Sequence, residues 1–266
     1  MQNSLKVFFV GDIIGRPGRR IVRELLPYLI DSYSVDMVIA NGENAAGGNG
    51  LTYNIAEELV DFGIDVITSG NHIWDKKEMV TCIERIPRLL RPANYPPRVP
   101  GKGSGIFETS SGLKVGVVNL EGRVFMKNID CPFRKAEEII RGLREETSII
   151  MVDFHAEATS EKVAMGWFLD GKVSAVIGTH THIQTADEKV LPRGTAFITD
   201  AGMTGSLDSV IGVKAGKVLE RFLTQMPQKF EVADKNLQIQ GLLVTIDTKE
   251  GKALDIERVK TSVKGR

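Results

Sequence analysis

The sequence predicts an α/β fold with a largely parallel sheet. Short apolar runs rich in β-branched residues recur along the chain, and amphipathic stretches of helical period follow several of them. The C-terminal third breaks this alternation and reads as antiparallel strands.

Residues 7–10, 37–40, 66–68, 115–119, 149–154, 175–177 and 196–199 have the length and composition of buried strands. Helical patterns cover residues 19–32, 54–62, 76–84, 135–145 and 160–169. Pro17 precedes the first of these, and Thr159-Ser160-Glu161 supplies an N-terminus for the last. Residues 230–232, 237–247 and 252–258 look like antiparallel strands, with a turn signal at Lys249-Glu250-Gly251. The Pro-rich stretch 92–103 reads as a surface loop. No linker, repeat or low-complexity segment interrupts the chain, which predicts one domain over residues 1–266.

Charge is balanced, with 34 Lys plus Arg against 34 Asp plus Glu. Non-specific wrapping of nucleic acid needs a basic excess, so that class is not expected. Cys82 and Cys131 match neither a zinc spacing nor a disulfide framework and read as small apolar side chains in a reducing compartment. The first apolar run is too short for a signal peptide, and no later run approaches the about 20 residues of a membrane span. The expectation is a cytoplasmic protein without membrane association. A homo-oligomer is compatible with the sequence.

Residues able to bind metal recur just beyond the strand ends, where ligands gather in open α/β sheets. The tips carry Gly11-Asp12, Gly42-Glu43-Asn44, Gly70-Asn71-His72, Asp153-Phe154-His155 and Gly178-Thr179-His180-Thr181-His182. All four histidines of the chain lie in these tips. Asp12 alone is weak, since an aspartate there also caps turns. GNH and GTHTH, each after an apolar strand, are more specific, and the set in this order is strong. Imidazole nitrogens with Asp, Glu and Asn oxygens, and no thiolate, suit Mn, Fe or Zn better than Ca or Mg. Asp12, Glu43, Asn44, Asn71, His155, His180 and His182 are too many donors for one ion and fit two sharing a carboxylate. His180 and His182 project to opposite sides of an extended segment; in a tight turn they could straddle a metal pair.

Those motifs resemble the calcineurin-like metallophosphoesterase superfamily. More closely, GENAAGGNGLT, SGNHIWDKKE, RPANYP, DFHAEATSEKVAMGW, GTHTHIQTAD and ITDAGMTG resemble the YmdB-type family of bacterial phosphodiesterases. The likeness implies a four-layer α/β/β/α sandwich, a di-iron or di-manganese centre and hydrolysis of 2′,3′-cyclic nucleotides to 3′-nucleotides. It implies that Asp12, Glu43, Asn44 and His182 hold one ion, that Glu43, Asn71, His155 and His180 hold the other, and that Glu43 bridges. Where the wider superfamily reads D-x-H, position 14 is Ile14, so the first ion lacks that imidazole.

A metal pair of this kind activates water and draws charge from phosphate oxygens. His72 follows Asn71 and is the histidine left unassigned to metal, which makes it the candidate general acid for the leaving sugar oxygen. The alternatives are a broader phosphodiesterase or nuclease acting on RNA ends, and a regulatory protein that senses a nucleotide with weak turnover. Asp153 and Glu157 flank His155 as partners for imidazole N–H groups or as solvated charges. Trp74 and Trp167 read as packing rather than stacking platforms. Arg91, Asn94 and Arg123 lie in loops where phosphate contact competes with plain solvation. Lys76-Lys77 and residues 260–266 read as surface charge, and Gly15-Arg16-Pro17-Gly18 lacks the spacing of known phosphate loops.

Overall fold

The computed structural model describes residues 3–262, so Met1, Gln2 and residues 263–266 of the basic C-terminal segment lie outside it. The chain begins with β1 (Ser4–Val10), a two-residue β2 (Asp12–Ile13), α1 (Gly15–Tyr33), β3 (Met37–Asn41), α2 (Tyr53–Asp61), β4 (Val66–Thr68) and a short α3 (Met79–Cys82). Then come β5 (Ser104–Glu108), β6 (Lys114–Glu121), α4 (Pro132–Leu143), β7 (Ile150–His155), α5 (Thr159–Leu169) and β8 (Ala175–Thr179). The last part holds β9 (Lys189–Val190), β10 (Ala196–Ile198), β11 (Met203–Ser206), α6 (Ala215–Thr224), β12 (Leu237–Asp247) and β13 (Ala253–Ser262).

The strands form two mixed sheets. One has the order β2-β11-β12-β1-β3-β4, with β13 paired to β12; the other runs β5-β6-β7-β8-β10-β9. Each contains a parallel block, β1-β3-β4 in the first and β6-β7-β8-β10 in the second. The two-residue side-chain period of a strand sorts the apolar residues. Leu5, Val7 and Phe9 of β1 join Met37 and Ile39 of β3, Val115 and Val117 of β6, and Ala175 and Ile177 of β8 in one buried cluster between the sheets. Phe8 and Val10 face the opposite way and meet Ile21, Val22, Leu25 and Leu29 of α1, spaced to form one face of that helix. On the second sheet, Val118, Ile150, Val152 and Val176 meet Ala136 and Ile140 of α4 and Met165 and Leu169 of α5.

Several sequence expectations shift. The parallel strands lie as expected, and β12 and β13 pair antiparallel as expected; β12 also inserts beside β1 across seven register pairs and makes the first sheet mixed. Residues 230–232 form no strand; Val232 makes only an isolated bridge to Val213. The helix expected over 76–84 shrinks to α3 and a following 3-10 turn, Ile83–Arg85. Strands β2, β5, β9 and β11 and helix α6 lie outside the elements that the sequence predicts. Cys82 is buried, Cys131 partly so, and both are free thiols. Among the described residues no helix is long and apolar enough to cross a membrane.

Candidate metal centre

The apolar layer between the sheets turns polar at the carboxyl ends of its strands. Asn41, Thr68, Asn119, Glu121, Asp153, His155 and Thr179 fall on the same faces as the buried apolar residues before them, and all are buried. Asn41 Nδ2 of the first sheet donates to Asp153 Oδ2 of the second at 3.0 Å, and the Ser69 amide donates to Asn119 Oδ1 at 3.1 Å. These bonds tie the sheets together beneath a cluster of metal-ligating side chains.

Two groups of donors emerge, with Glu43 in both. Glu43, His155 and His180 bring ligand atoms within 4.8 Å of one another, and so do Asp12, Glu43 and His182. Asn71 Oδ1 lies 3.0 Å from His155 Nε2, which places it with the first group. Asn44 Nδ2 lies 3.2 Å from His182 Nε2 and 3.1 Å from Glu43 Oε1, which places it with the second. Asn44 offers an oxygen there only with its amide reversed. His180 and His182 divide between the groups because both have left-handed backbones, φ 95° and 65°, in the turn after β8. All seven expected donors therefore meet at one place.

The outer nitrogen of each of these three histidines is committed elsewhere. Thr179 Oγ1 donates to Asp153 Oδ1 at 2.7 Å, so it accepts from His155 Nδ1 at 3.0 Å. His182 Nδ1 donates to the Ile211 carbonyl at 3.0 Å, and His180 Nε2 sits 3.1 Å from Glu157 Oε2. Each acceptor orients its ring and turns the other nitrogen inward, where a deprotonated ring can offer its lone pair to a cation.

The inward side holds more acceptors than protons. His155 Nε2 has Asn71 Oδ1 at 3.0 Å, His180 Nδ1 at 3.0 Å and Glu43 Oε1 at 3.1 Å. Asp12 Oδ1 is buried with no hydrogen-bond partner. Without a cation, burial pushes the Asp12 carboxyl up to about 7 against the pull of the nearby imidazoles. Burial also opposes charge on Glu43 and His155, but their mutual attraction wins, taking Glu43 down to about 2 and His155 up to about 9. Burial, then the neighbouring His155 charge, presses His180 down to about 3. One proton cannot satisfy this set; divalent cations suit its hard oxygens and imidazoles. The residues fit a metal centre.

Gly70 makes room for the cluster: a Cβ there would stand 2.3 Å from the His155 ring and 2.4 Å from Glu43 Oε2. A buried ion pair holds the histidine turn, with Lys162 Nζ 2.8 Å from Asp200 Oδ2, which accepts in turn from the Thr181 amide and hydroxyl. Sequence reading missed Lys162, Thr179 and Asp200, although all three fall in or beside the motifs quoted above. A polar residue of strand period beneath each ligand is the signal that could have found Thr179.

His72 stands at the rim. Its Nδ1 is 2.8 Å from Asp75 Oδ2, its amide donates to Glu43 Oε2 at 3.2 Å, and it lines a cleft of about 370 Å³ above the donors. A larger cavity, about 610 Å³, lies away from these groups beside Arg20, Asp208 and Asn236 and has no converging ligands. Arg91 spends its guanidinium on the carbonyls of Pro92, Val99 and Pro100, and Asn94 bonds the backbone of Glu121 and Asp130. Both brace the Pro-rich loop, so neither serves phosphate. Trp74 packs edge-on against Tyr95, and Trp167 is exposed away from the cleft.

Known proteins resemble this chain over nearly its full length. A family profile described as "YmdB-like protein" matches residues 8–259. A 2′,3′-cyclic-nucleotide 2′-phosphodiesterase of Bacillus subtilis is 48% identical over 96% of this chain and 96% of its own. A putative phosphatase/phosphodiesterase of Mycoplasma genitalium is 36% identical over 97% of this chain and 93% of its own. Among solved structures, a hypothetical protein from Thermus thermophilus superposes with TM-score 0.89 at 41% identity, covering 97% of this chain and 99% of that one. A Mycoplasma pneumoniae protein described as a novel phosphatase gives TM-score 0.91 at 35% identity, covering 98% and 94%. A match across nearly the full length, together with the ligand-bearing strand tips, places the chain in the YmdB-like family.

Proposed function

We propose that this chain is a dinuclear-metal phosphodiesterase that opens 2′,3′-cyclic nucleotides at the 2′ ester and releases the 3′-nucleotide. The observation that carries the reading is the set of three imidazoles with committed outer nitrogens, whose inner nitrogens converge with Asp12 and Glu43. Asp12, Glu43, Asn44 and His182 would hold one ion, and Glu43, Asn71, His155 and His180 would hold the other. Fe or Mn suits the nitrogen and oxygen donors, and Zn is an allowed third. When bound, the ions supply Lewis acidity toward phosphate oxygens and acidify water at neutral pH.

The protein's own groups do the rest. Asp75 fixes His72 through Nδ1, and the imidazolium form of His72 carries on Nε2 the proton that passes to the departing 2′ oxygen, leaving the neutral imidazole. Asp153, acting through Thr179, keeps the His155 ring oriented, and Lys162 with Asp200 holds the turn that carries His180 and His182. The three apolar clusters support an α/β/β/α layering in a single metallophosphoesterase domain over residues 1–266. The bacterial relatives support a bacterial enzyme, which we place in the cytoplasm.

The test is hydrolysis of 2′,3′-cyclic AMP by Mn-loaded protein, with the product resolved by chromatography. Adenosine 3′-monophosphate is expected. His72→Ala keeps its metal and loses roughly 10²–10⁴-fold in kcat. Unchanged kcat in that variant removes His72 from the mechanism, and no turnover by metal-loaded wild type contradicts the reading itself.

A further inference from the structure

The cleft above the donors has two unlike walls. His72, Glu157 and Thr181 line it with polar groups, whereas Ile14, Ile211, Val213, Phe230 and Val232 give it an apolar wall, knit by the Val213–Val232 bridge and the approach of Gly212 to Ile14. A phosphate group held by cations has no use for an apolar wall. We propose that this wall is the nucleobase subsite of the substrate, with Phe230 and Ile211 as its contact residues. The proposal rests on the phosphodiesterase reading above and adds the part of the substrate that the wall selects.

Ile211 is the first observation. Val210 and Val213 exchange backbone bonds at 2.9 and 3.0 Å around a two-residue turn. Both central residues are left-handed, Ile211 at φ 46° and Gly212 at φ 98°. Such turns favour Asn, Asp or Gly at the first position, and a β-branched residue is strained there. Burial does not offset that strain, because Ile211 is 47% exposed. Its carbonyl receives His182 Nδ1, but any residue's carbonyl could. The isoleucine side chain therefore serves whatever occupies the cleft. Strain of this kind is found where a site requires it.

Phe230 is the second observation. It is 41% exposed and lines the cleft, with the Arg221 guanidinium 5.2 Å from its ring centroid. That cation–π contact holds the ring from α6. Val232 packs so closely against the loop carrying Glu43 and Asn44 that a Cβ on Gly48 would meet it at 2.9 Å. The wall and the donors are thus fixed relative to one another. The cleft volume of about 370 Å³ falls in the range of small-molecule sites.

The experiment measures binding by calorimetry to Mn-loaded wild type, Phe230→Ala, Phe230→Tyr and Ile211→Asn. The probes are adenosine 3′-monophosphate and glycerol 2-phosphate, which differ in the base and sugar. Wild type should bind the nucleotide more tightly. Phe230→Ala should weaken it roughly tenfold, as loss of one stacking partner does, while moving glycerol 2-phosphate less than twofold. Phe230→Tyr should restore nucleotide affinity. Ile211→Asn should keep or raise the melting temperature and still weaken the nucleotide. Equal losses for both probes, no loss for the nucleotide, or wild type binding both alike overturns the subsite. Selective nucleotide binding by a protein that hydrolyses no cyclic nucleotide would sink the phosphodiesterase reading and leave the subsite standing.

Discussion

The two donor groups share Glu43 and differ in how they stand without a cation. On the His155 side, attraction between carboxylate and imidazole closes the group upon itself at 3.0–3.1 Å. On the Asp12 side, the nearest imidazole nitrogen is 3.6 Å away and Asp12 Oδ1 bonds to nothing. Glu43 Oε1 lies 3.1 Å from both His155 Nε2 and Asn44 Nδ2, and neither donor reaches Asp12 Oδ1. A buried oxygen left without a donor costs about 1–3 kcal/mol. Without a cation, the Asp12 group is the one left with an unsatisfied buried oxygen.

The largest expected effect comes from removing what the groups share. Glu43→Gln should lose both equivalents of metal by elemental analysis and at least 10³-fold in turnover; loss of one equivalent alone would break the bridging role. Gly70→Ala should act nearly as strongly, because its methyl group collides with His155 and Glu43 together. A Gly70→Ala protein with normal metal content and turnover would show that the cluster is looser than described.

Asp12→Asn separates the groups. It should cost the Asp12-side metal, yet stabilise the metal-free protein. The sign follows from a carboxyl raised from 3.8 to about 7 by burial. The metal-free wild type keeps this group's contribution below pH 4 and loses it as pH rises through 7, whereas the asparagine variant does not. A gain of about 1 kcal/mol at pH 8 would raise the melting temperature by about 2–4 °C. A lower melting temperature at pH 8 than wild type, both stripped of metal, would refute the surplus-carboxylate account. Thr179→Val is the mildest change. It should weaken metal on the His155 side about 10–100-fold and leave the other side alone, as removal of an outer partner does.

The ligands were legible because chemistry forces them into a pattern. A strand tip that turns sharply and presents donors reads as Gly followed by Asp, Glu, Asn or His, and four histidines confined to such tips leave little else to suppose. The parallel blocks were legible for the same reason, since buried strands are apolar on both faces. What escaped depends on partners distant in sequence. Lys162 and Asp200 are 38 residues apart and pair only in the folded chain. Thr179 matters through Asp153, which lies on another strand. The segment from β11 to β12 contributes Ile211 and Phe230 by folding over the cleft, and its apolar residues looked like one more short strand. The division into an Asp12 group and a His155 group came from the family resemblance, whereas the residues alone left open how His180 and His182 project, and their left-handed backbones in the turn after β8 accompany that division.

We propose that one buried carboxylate, Glu43, sits between two cations. An anomalous difference map from crystals grown with manganese tests it directly. Two peaks are expected, one beside Asp12 and His182 and one beside His155 and His180, with the Glu43 carboxylate reaching both. A single peak at saturating manganese, or metal bound away from Glu43, would contradict it.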